Sequence, residues 1–308
     1  MYPSVSAIIA TNGKRPQLLR RAVESIFAQD YPGSVEVLVV FDRVDPDRLE
    51  DLSIPTNRSL SIVSNTRTGG LAGGRNSGIL AAGGELIGFC DDDDWWMPAK
   101  LSKQVALWQQ RPQAVAIASG ISVRTNGQNI VRLAPERASF HDFLGSRITE
   151  IHPSALLYRR DDLLGSSQRP IGLVDEELPA SYGEDYDLLL RATRFGDIYS
   201  VQEALIGVLW DRQSFFAGKW QAMADGLSYI LRKFPEFEQH PRGLARIAGQ
   251  VAYVHASLGH RAQAVAYARS ALRRDPRQLR AWAALVVASG AVKGQTLLDA
   301  VQKTGRGL

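Results

Sequence analysis

The sequence predicts an α/β fold in which a mostly parallel sheet is sandwiched by helices, followed by a smaller all-α region. Two observations lead to this prediction. Up to about residue 218, short apolar runs without polar alternation take turns with segments of helical periodicity, as expected for strands buried on both faces. Beyond that point alanine and arginine are frequent, and the apolar spacing is helical. We therefore expect two domains, 1–218 and 219–308, which suits a length of 308 residues.

The elements of the first domain follow from its apolar runs and the residues that interrupt them. The first strand is bounded by Pro3 and by Asn12-Gly13, and the helix after it repeats apolar residues at intervals of three and four positions until Pro32-Gly33. The pair Gly83-Gly84 ends the next helix directly before a buried strand. The predicted strands are 5–10, 35–41, 60–63, 86–90 and 115–119, and the predicted helices are 18–29, 74–82 and 100–110.

The C-terminal region predicts three helices, 244–258, 262–274 and 279–288, separated by turns at Gly259-His260 and Asp275-Pro276. The segment 256–282 resembles one helical repeat of the tetratricopeptide type. The alternative is a plain helical bundle.

Charge and cysteine content narrow the function classes. The single cysteine, Cys90, excludes an intramolecular disulfide and a multi-cysteine zinc site. The net charge of +4 divides unevenly: residues 240–308 carry +9 and the first 239 carry −5. This division predicts two functional surfaces, with the basic tail meeting a membrane surface or a second copy of the chain. We expect no nucleic-acid binding, because no aromatic residues interleave with these arginines.

Polar residues follow several of the predicted strands. Thr11 ends the first strand, Asp42 closes the second, and the run 91–94 follows the fourth. Ligands of open parallel sheets bind beyond the carboxyl ends of the strands, so we expect these side chains to converge on one crevice. Taken alone, Asp42 is better explained as a turn residue.

Four adjacent aspartates, 91–94, follow the buried strand 86–90 and precede Trp95-Trp96. Neighbouring carboxylates repel one another unless a cation or hydrogen-bond donors neutralise them, and oxygen ligands suit Mg²⁺ or Mn²⁺. The alternative is a solvated acidic loop in which Asp94 starts the next helix. The buried strand and the tryptophans favour the metal site.

A glycine-rich stretch, 66–78, opens a helix and contains Arg75. Its backbone N–H groups and this arginine are suited to a diphosphate. The alternative is a flexible connection.

Acidic residues of the segment 183–187 stand at the first turn of another helix, where the helix dipole favours them. One interpretation is simple helix capping. The other is a general base at the mouth of the crevice.

Taken together, these segments resemble a family 2 glycosyltransferase with the GT-A fold, and the resemblance covers roughly residues 4–215. The segments that carry it are Ser6 to Asn12 with Leu19, Ser25-Ile26 and Gln29 to Pro32; Arg75 to Gly78 with Ala82 to Glu85; Phe89 to Leu101; and, on the acceptor side, His152-Pro153-Ser154 with Glu184 to Asp187.

The resemblance implies a role for each matching residue. Asp42 reads the base, Asp92 contacts the ribose and donor, Asp91 and Asp93 form the metal-binding Asp-x-Asp pair, and Asp185 is the catalytic base. Thr11 and Arg75 join the donor site in this interpretation.

The implied reaction is an inverting transfer of a sugar from a nucleotide-diphosphate donor, helped by Mn²⁺ or Mg²⁺. A UDP-sugar is the favoured donor and a dTDP-sugar the second. The acceptor is a hydroxyl of a glycan, a lipid-linked glycan or a small molecule. Two other functions stay open: a nucleotidyltransferase, and a helical-repeat adaptor whose sugar-nucleotide site has decayed.

The expected location is the cytoplasm, with a peripheral position at the inner face of the membrane as an extension of that prediction. The N-terminal residues lack a basic run followed by an apolar stretch. The longest apolar runs are far shorter than the ~20 residues that span a bilayer.

Overall fold

The sheet of the protein is built around β1, whose residues are buried on both faces. The computed structural model describes residues 2–125, 127–210 and 219–297. Its ten strands are β1 (Val5–Thr11), β2 (Val35–Phe41), β3 (Arg58–Ser64), β4 (Leu86–Phe89), β5 (Trp95–Trp96), β6 (Ala116–Thr125), β7 (Gln128–Arg132), β8 (Arg137–Ala138), β9 (Leu157–Arg159) and β10 (Ile198–Leu209).

The strand order is β3-β2-β1-β4-β9-β6-β10-β5, with β7 beside β6 and β8 beside β10. The first four strands are parallel, and β6 is parallel to β10. The short strand β9 runs antiparallel to both of its neighbours, and β5, β7 and β8 are also antiparallel to their partners. The predicted mostly parallel sheet is confirmed, with antiparallel strands added in its second half.

Helices cover both faces of the sheet, as the unalternated strands predict. The helices that precede β10 in the chain are α1 (Pro16–Phe27), α2 (Leu71–Ala81), α3 (Lys100–Gln110), α4 (Phe140–Gly145), α5 (Arg160–Leu164) and α6 (Glu184–Thr193). All of them except α4 belong to the larger of the two units described below. On one face Ile9 of β1 belongs to a core with Val23 of α1 and Leu101 of α3. On the other face the neighbouring residue Ile8 meets α2.

Helix α2 lies very close to β1. A Cβ atom at Gly78 would stand 2.4 Å from Cγ2 of Ile8, so only glycine permits this approach. The helix starts at Leu71, three residues before the predicted start, because Gly70 adopts a φ of 114° and turns the chain into it. The glycines Gly74 and Gly78 of α2 therefore lie against Ala10 and Ile8 in the carboxyl-terminal half of β1.

The chain divides into two compact units. The larger comprises Met1–Phe140, Ile148–Glu176 and Glu184–Arg212, and the smaller comprises His141–Arg147, Glu177–Gly183 and Gln213–Leu308. The boundary predicted at residues 218 and 219 stays a prediction, since 211–218 lie outside the described residues.

The smaller unit contains the helices α7 (Trp220–Lys233), α8 (Pro241–Ser257), α9 (Arg261–Arg274) and α10 (Leu279–Ala288). The last three reproduce the predicted helices to within three residues at each end. They pack through alanines, among them Ala252, Ala268 and Ala284. The similarity to a tetratricopeptide repeat stays a prediction. No helix in the described ranges is long and apolar enough to cross a membrane.

The close approach of α2 to β1 predicts the effect of Gly78→Ala. Alanine is favoured over glycine in a helix by about 1 kcal/mol, whereas overpacking a core costs about 1–3 kcal/mol. Because Ile8 is 1% exposed and cannot move aside, we expect a net loss in the free energy of unfolding, measured in urea.

Gly74→Ala is the matched control in the same helix, since its Cβ meets only the Cβ of Ala10, at 3.1 Å. Gly74→Ala should lower the free energy of unfolding by less than Gly78→Ala does. A Gly78→Ala protein as stable as the parent would contradict this account of the packing.

Candidate functional site

The predicted donor-site residues lie at one edge of the sheet, where the strands β1, β2 and β4 have their carboxyl ends. The hydroxyl of Thr11 donates to Oδ2 of Asp92 at 2.6 Å. The backbone N–H of Asp42 donates to the carbonyl of Thr11 at 2.8 Å. The prediction that these three residues converge is therefore confirmed by the geometry, while their roles toward a ligand stay predictions.

The carboxylate of Asp42 is tied to the glycine-rich stretch. One of its oxygens accepts from Nδ2 of Asn65 at 2.7 Å, and the other accepts from the backbone N–H of Gly70 at 2.8 Å. Asp42 therefore fixes the loop that leads into α2. This contact was not expected from the sequence, where Asp42 stood only at the end of its strand.

Arg15 is a cation at the acidic run that the sequence did not reveal. Its Nη1 lies 3.0 Å from Oδ1 of Asp92 and also forms an ion pair with Asp93. Burial raises the pKa of both carboxyls, and Arg15 opposes the rise. Only its position before Pro16 hinted at this role, because the N-terminus of α1 points toward the strand ends.

Asp94 does not start a helix, which corrects that alternative for the acidic run. Helix α3 begins at Lys100 with Ala99 as its cap. Asp94 is instead buried, accepts from the hydroxyl of Ser154 at 2.5 Å and lies 3.5 Å from Nδ1 of His152. Burial, followed by the charge of Asp91, raises the pKa of Asp94 well above its usual range.

One group among the described residues has the donor set of a cation site. Ligand atoms of Asp91, Asp94 and His152 lie within 4.8 Å of one another. Carboxylate oxygens and an imidazole suit a divalent ion such as Mn²⁺, so the chemistry of the residues fits the predicted metal. Asp93, the other half of the predicted Asp-x-Asp pair, stands outside this group and faces Arg15. His152 and Ser154, expected on the acceptor side, lie at the acidic run.

Arg75 joins the acidic run to α6. Its side chain is 3% exposed, its Nη2 lies 2.9 Å from Oδ1 of Asp91, and its Nη1 forms an ion pair with Glu184. Burial disfavours the charge on Arg75, but the carboxylates of Glu184 and Asp91 outweigh it and raise the pKa of the guanidinium. Burial raises the pKa of Glu184 to about 7 against the lowering effect of Arg75.

The predicted base, Asp185, stands next to Glu184 in the first turn of α6 and is partly buried. Its charge acts on Arg75 and helps raise the pKa of that guanidinium, so the two side chains share one electrostatic environment. Asp187 is different, because it is fully buried and accepts from Nε of Arg191 at 2.8 Å. Of these two aspartates, Asp185 is therefore the more accessible to a substrate.

Residues 71–78 of the glycine-rich stretch belong to helix α2, and their side chains are hydrogen-bonded to neighbouring segments. Asn76 donates from Nδ2 to the carbonyl of Val174 at 2.8 Å and to Glu176 at 2.6 Å. The hydroxyl of Ser77 donates to Oδ1 of Asn65 at 2.8 Å. Since Arg75 is enclosed by carboxylates, its predicted contact with a diphosphate stays a prediction.

Comparison with known proteins identifies the family. The model of the family described as Glycosyl transferase family 2 matches residues 6–164, just over half of the chain. The chain belongs to glycosyl transferase family 2. The matched range includes the strand ends, Arg75, the acidic run and His152, which form this edge of the sheet.

Several curated proteins are similar to this family 2 chain. The putative colanic acid biosynthesis glycosyl transferase WcaA of Escherichia coli K12 is 28% identical over 211 residues, which cover 66% of this chain and 71% of WcaA. The Escherichia coli protein WfaP, a UDP-Glc:alpha-D-GlcNAc-diphosphoundecaprenol beta-1,3-glucosyltransferase, is 30% identical over 101 residues, covering 33% of this chain and 39% of WfaP. An uncharacterized glycosyltransferase of Haemophilus influenzae is 28% identical over 144 residues, covering 42% of this chain and 54% of that protein. The chain thus spans about half of the Haemophilus relative and less of WfaP.

Solved structures share the fold. The TarS fragment 1–349 of S. aureus with UDP has a TM-score of 0.57 at 19% identity, covering 94% of this chain and 91% of that chain. The mannosyltransferase PcManGT of Pyrobaculum calidifontis, in complex with GDP-Man and Mn²⁺, has a TM-score of 0.57 at 18% identity, covering 94% and 86%. At these identities the likeness concerns the fold, and it confirms the predicted GT-A type.

The buried position of Arg75 predicts a pH-dependent loss of stability in Arg75→Met. The change leaves buried carboxylates without their cation, which costs about 3–5 kcal/mol. The pKa of Glu184 in the folded variant should lie further above the unfolded value of 4.5, so the protonated form is favoured on folding. Stability is therefore lost as the pH rises, and urea unfolding should show a larger deficit at about pH 8 than at about pH 5.

Arg67→Met is the control, because Arg67 is 38% exposed and pairs with Glu176 at the surface. Its cost should stay below about 1 kcal/mol. An Arg75→Met deficit as small as that of the control, or one that shrinks with rising pH, would contradict the assignment.

Proposed function

We propose that this protein transfers a sugar from a nucleotide-diphosphate donor to an acceptor hydroxyl, with inversion at the anomeric carbon. The observation that carries the proposal is the ion-paired chain Asp91–Arg75–Glu184, which brings the accessible Asp185 to the acidic run. A family 2 chain with both elements at one sheet edge has what an inverting transfer needs: a place for the leaving diphosphate and a base for the acceptor.

The donor in this proposal is a UDP-sugar, with a dTDP-sugar as the second donor to test. Thr11 and Asp92 form a hydrogen-bonded pair beyond β1, where the ribose would lie, and Asp42 stands at the end of the next strand to receive the base. UDP in the TarS structure and UDP-Glc in the name of WfaP support this choice. The GDP-Man bound to PcManGT shows that a protein of this fold also accepts another base.

Mn²⁺ or Mg²⁺ would be held by Asp91 and Asp93, the pair that the family resemblance implies. When bound, the ion supplies positive charge that stabilises the leaving diphosphate. Asp94 and His152 are placed to complete the oxygen and nitrogen donors beside Asp91. The Mn²⁺ named with PcManGT supports a divalent ion of this kind.

Asp185 acts as the base in the transfer. Its carboxylate takes the proton of the acceptor hydroxyl while the hydroxyl oxygen bonds to the anomeric carbon and the bond to the diphosphate breaks. A single displacement of this kind inverts the anomeric centre and needs no enzyme nucleophile. Cys90 has no part in it, since burial raises the pKa of its thiol well above the usual value.

The acceptor we favour is a lipid-linked glycan, and a glycan or small molecule is the alternative. The name of WfaP specifies an acceptor joined to diphosphoundecaprenol, and the name of WcaA places it in colanic acid biosynthesis. Both names are consistent with a role in polysaccharide biosynthesis.

A thermal-shift panel of nucleotide sugars tests the donor and the metal. A UDP-sugar should raise the melting temperature in Mn²⁺ or Mg²⁺ and fail to do so in excess chelator, because uncompensated carboxylates repel a diphosphate. Asp93→Asn should lose this metal-dependent shift. Asp47→Asn, which removes an exposed carboxylate paired with Arg20, should keep it.

Full donor binding in chelator would exclude the metal. If Asp94→Asn and His152→Gln lose the shift while Asp93→Asn retains it, the ion is held by the group around Asp94 instead. A shift produced by nucleoside triphosphates alone, with no response to any nucleotide sugar, would favour the nucleotidyltransferase.

Asp185→Asn tests the base. The change preserves size and removes the proton acceptor, so kcat should fall by about 10²–10⁴ while the KM for the donor changes little. The measurement is the rate at which the nucleoside diphosphate forms from the preferred donor.

Asp187→Asn is the paired variant and should act through stability, because its carboxylate is buried against Arg191. If a folded Asp187→Asn protein loses turnover and Asp185→Asn keeps it, the base is Asp187. If neither loses turnover, no base in α6 takes part.

A further inference from the structure

The turn between α9 and α10 carries a surface patch that the proposed reaction does not use. We call it the α9–α10 corner and define it by three arginines and two large apolar residues: Arg273, Arg274, Arg277, Leu279 and Trp282. Leu279 is 75% exposed and Trp282 is 52% exposed, although both are side chains that ordinarily lie in a core. Val286, one turn further along α10, extends this apolar face.

The charge around the corner is strongly positive. Residues 261–297 contain seven Lys or Arg residues and a single acidic residue, Asp275. Asp275 is held within the turn, where it accepts from Nε2 of Gln278 at 2.7 Å and from the backbone N–H of Arg277 at 3.0 Å. Arg274 also pairs with Glu238, whose Oε2 lies 4.0 Å from its Nη2, so the surplus positive charge of the turn rests on Arg273 and Arg277.

The apolar residues of the corner are not needed by the helical core. Helix α10 packs inward through Ala281, Ala284 and Ala288, which lie on the opposite face from Leu279 and Trp282. The indole N–H of Trp282 donates to the carbonyl of Pro276 at 2.9 Å, so the ring is fastened to the turn while half of it faces outward. The ring therefore lies at the same turn that carries Arg277 in the sequence.

We propose that the α9–α10 corner docks this protein on an anionic lipid surface. A tryptophan and a leucine beside clustered arginines match both parts of a bilayer surface, since the apolar side chains enter the headgroup region and the cations meet the lipid phosphates. A water-soluble acidic partner would account for the arginines and leave the exposed Leu279 and Trp282 without a role. The α9–α10 corner belongs to the smaller unit, and its docking on lipid does not depend on which donor or acceptor the enzyme uses.

Co-sedimentation of the full-length chain with vesicles tests the proposal. The chain should bind vesicles of phosphatidylcholine with phosphatidylglycerol and should not bind phosphatidylcholine alone. Binding should be lost at about 0.5 M salt, where screening confines electrostatic attraction to a few ångströms. R273Q/R277Q and W282A should each lower the partition coefficient about ten-fold.

R48Q/I54S is the matched control, because it removes an exposed arginine and an exposed apolar side chain from the connection between β2 and β3. It should bind like the parent, and all variants should keep the parental circular dichroism and melting temperature. The proposal is overturned by absence of binding to anionic vesicles at low salt, or by binding that the corner variants leave unchanged. A concentration-dependent dimer that W282A dissociates, without vesicle binding, would instead make the corner a contact between copies of the chain.

Discussion

The structure of the site depends on one buried cation. Arg75 is enclosed between Asp91 on the strand side and Glu184 on the helix side. A guanidinium in the interior is stable only when its charge and hydrogen bonds are matched, so each carboxylate holds it and it holds both of them in turn. The first turn of α6, with Asp185, is thereby fixed relative to the acidic run. Without Arg75, no ion pair would join the acidic run, which is proposed to meet the leaving diphosphate, to the helix that carries the proposed base.

The position of Arg75 is itself set by backbone packing. Gly78 lets α2 lie against Ile8, and the preceding residues Asn76 and Ser77 are held by Val174 and Asn65. The polar side chains in the middle of α2 are therefore held by hydrogen bonds to neighbouring segments. Asp93 faces Arg15 at the other side of the run, so the protein partly neutralises its own acidic cluster. Arg15 and Arg75 therefore offset part of the negative charge of the four carboxylates.

The fold could be predicted from the sequence because apolar periodicity reports burial along a single segment. It located the strands β1 to β4 and the helix α3, whose ends at residues 100 and 110 agree with the structure. It missed β5, β7, β8, β9 and β10. The strands β5, β8 and β9 have only two or three residues and are defined by their partners across the sheet. In the twelve-residue β10 the polar pair Gln202-Glu203 interrupts the apolar run, at the point where the register with β6 shifts. The same limit applies to the site. Thr11, Asp42 and Asp92 follow strands and could be grouped, whereas the contact of His152 with Asp94 joins residues far apart in the chain. The burial of Asp94 against Ser154 was likewise not predictable, because burial by distant segments leaves no local pattern.

We propose above that this edge of the sheet binds a divalent cation together with a nucleoside diphosphate. Electron paramagnetic resonance of Mn²⁺ tests it directly, because the spectrum of the free ion disappears when the ion is bound. We expect weak binding of Mn²⁺ by the protein alone, much tighter binding when UDP is added, and loss of that gain in Asp93→Asn. Two results would overturn the proposal. In one, UDP adds no more Mn²⁺ binding than free UDP provides by itself; in the other, Asp93→Asn binds Mn²⁺ as tightly as the parent in the presence of UDP.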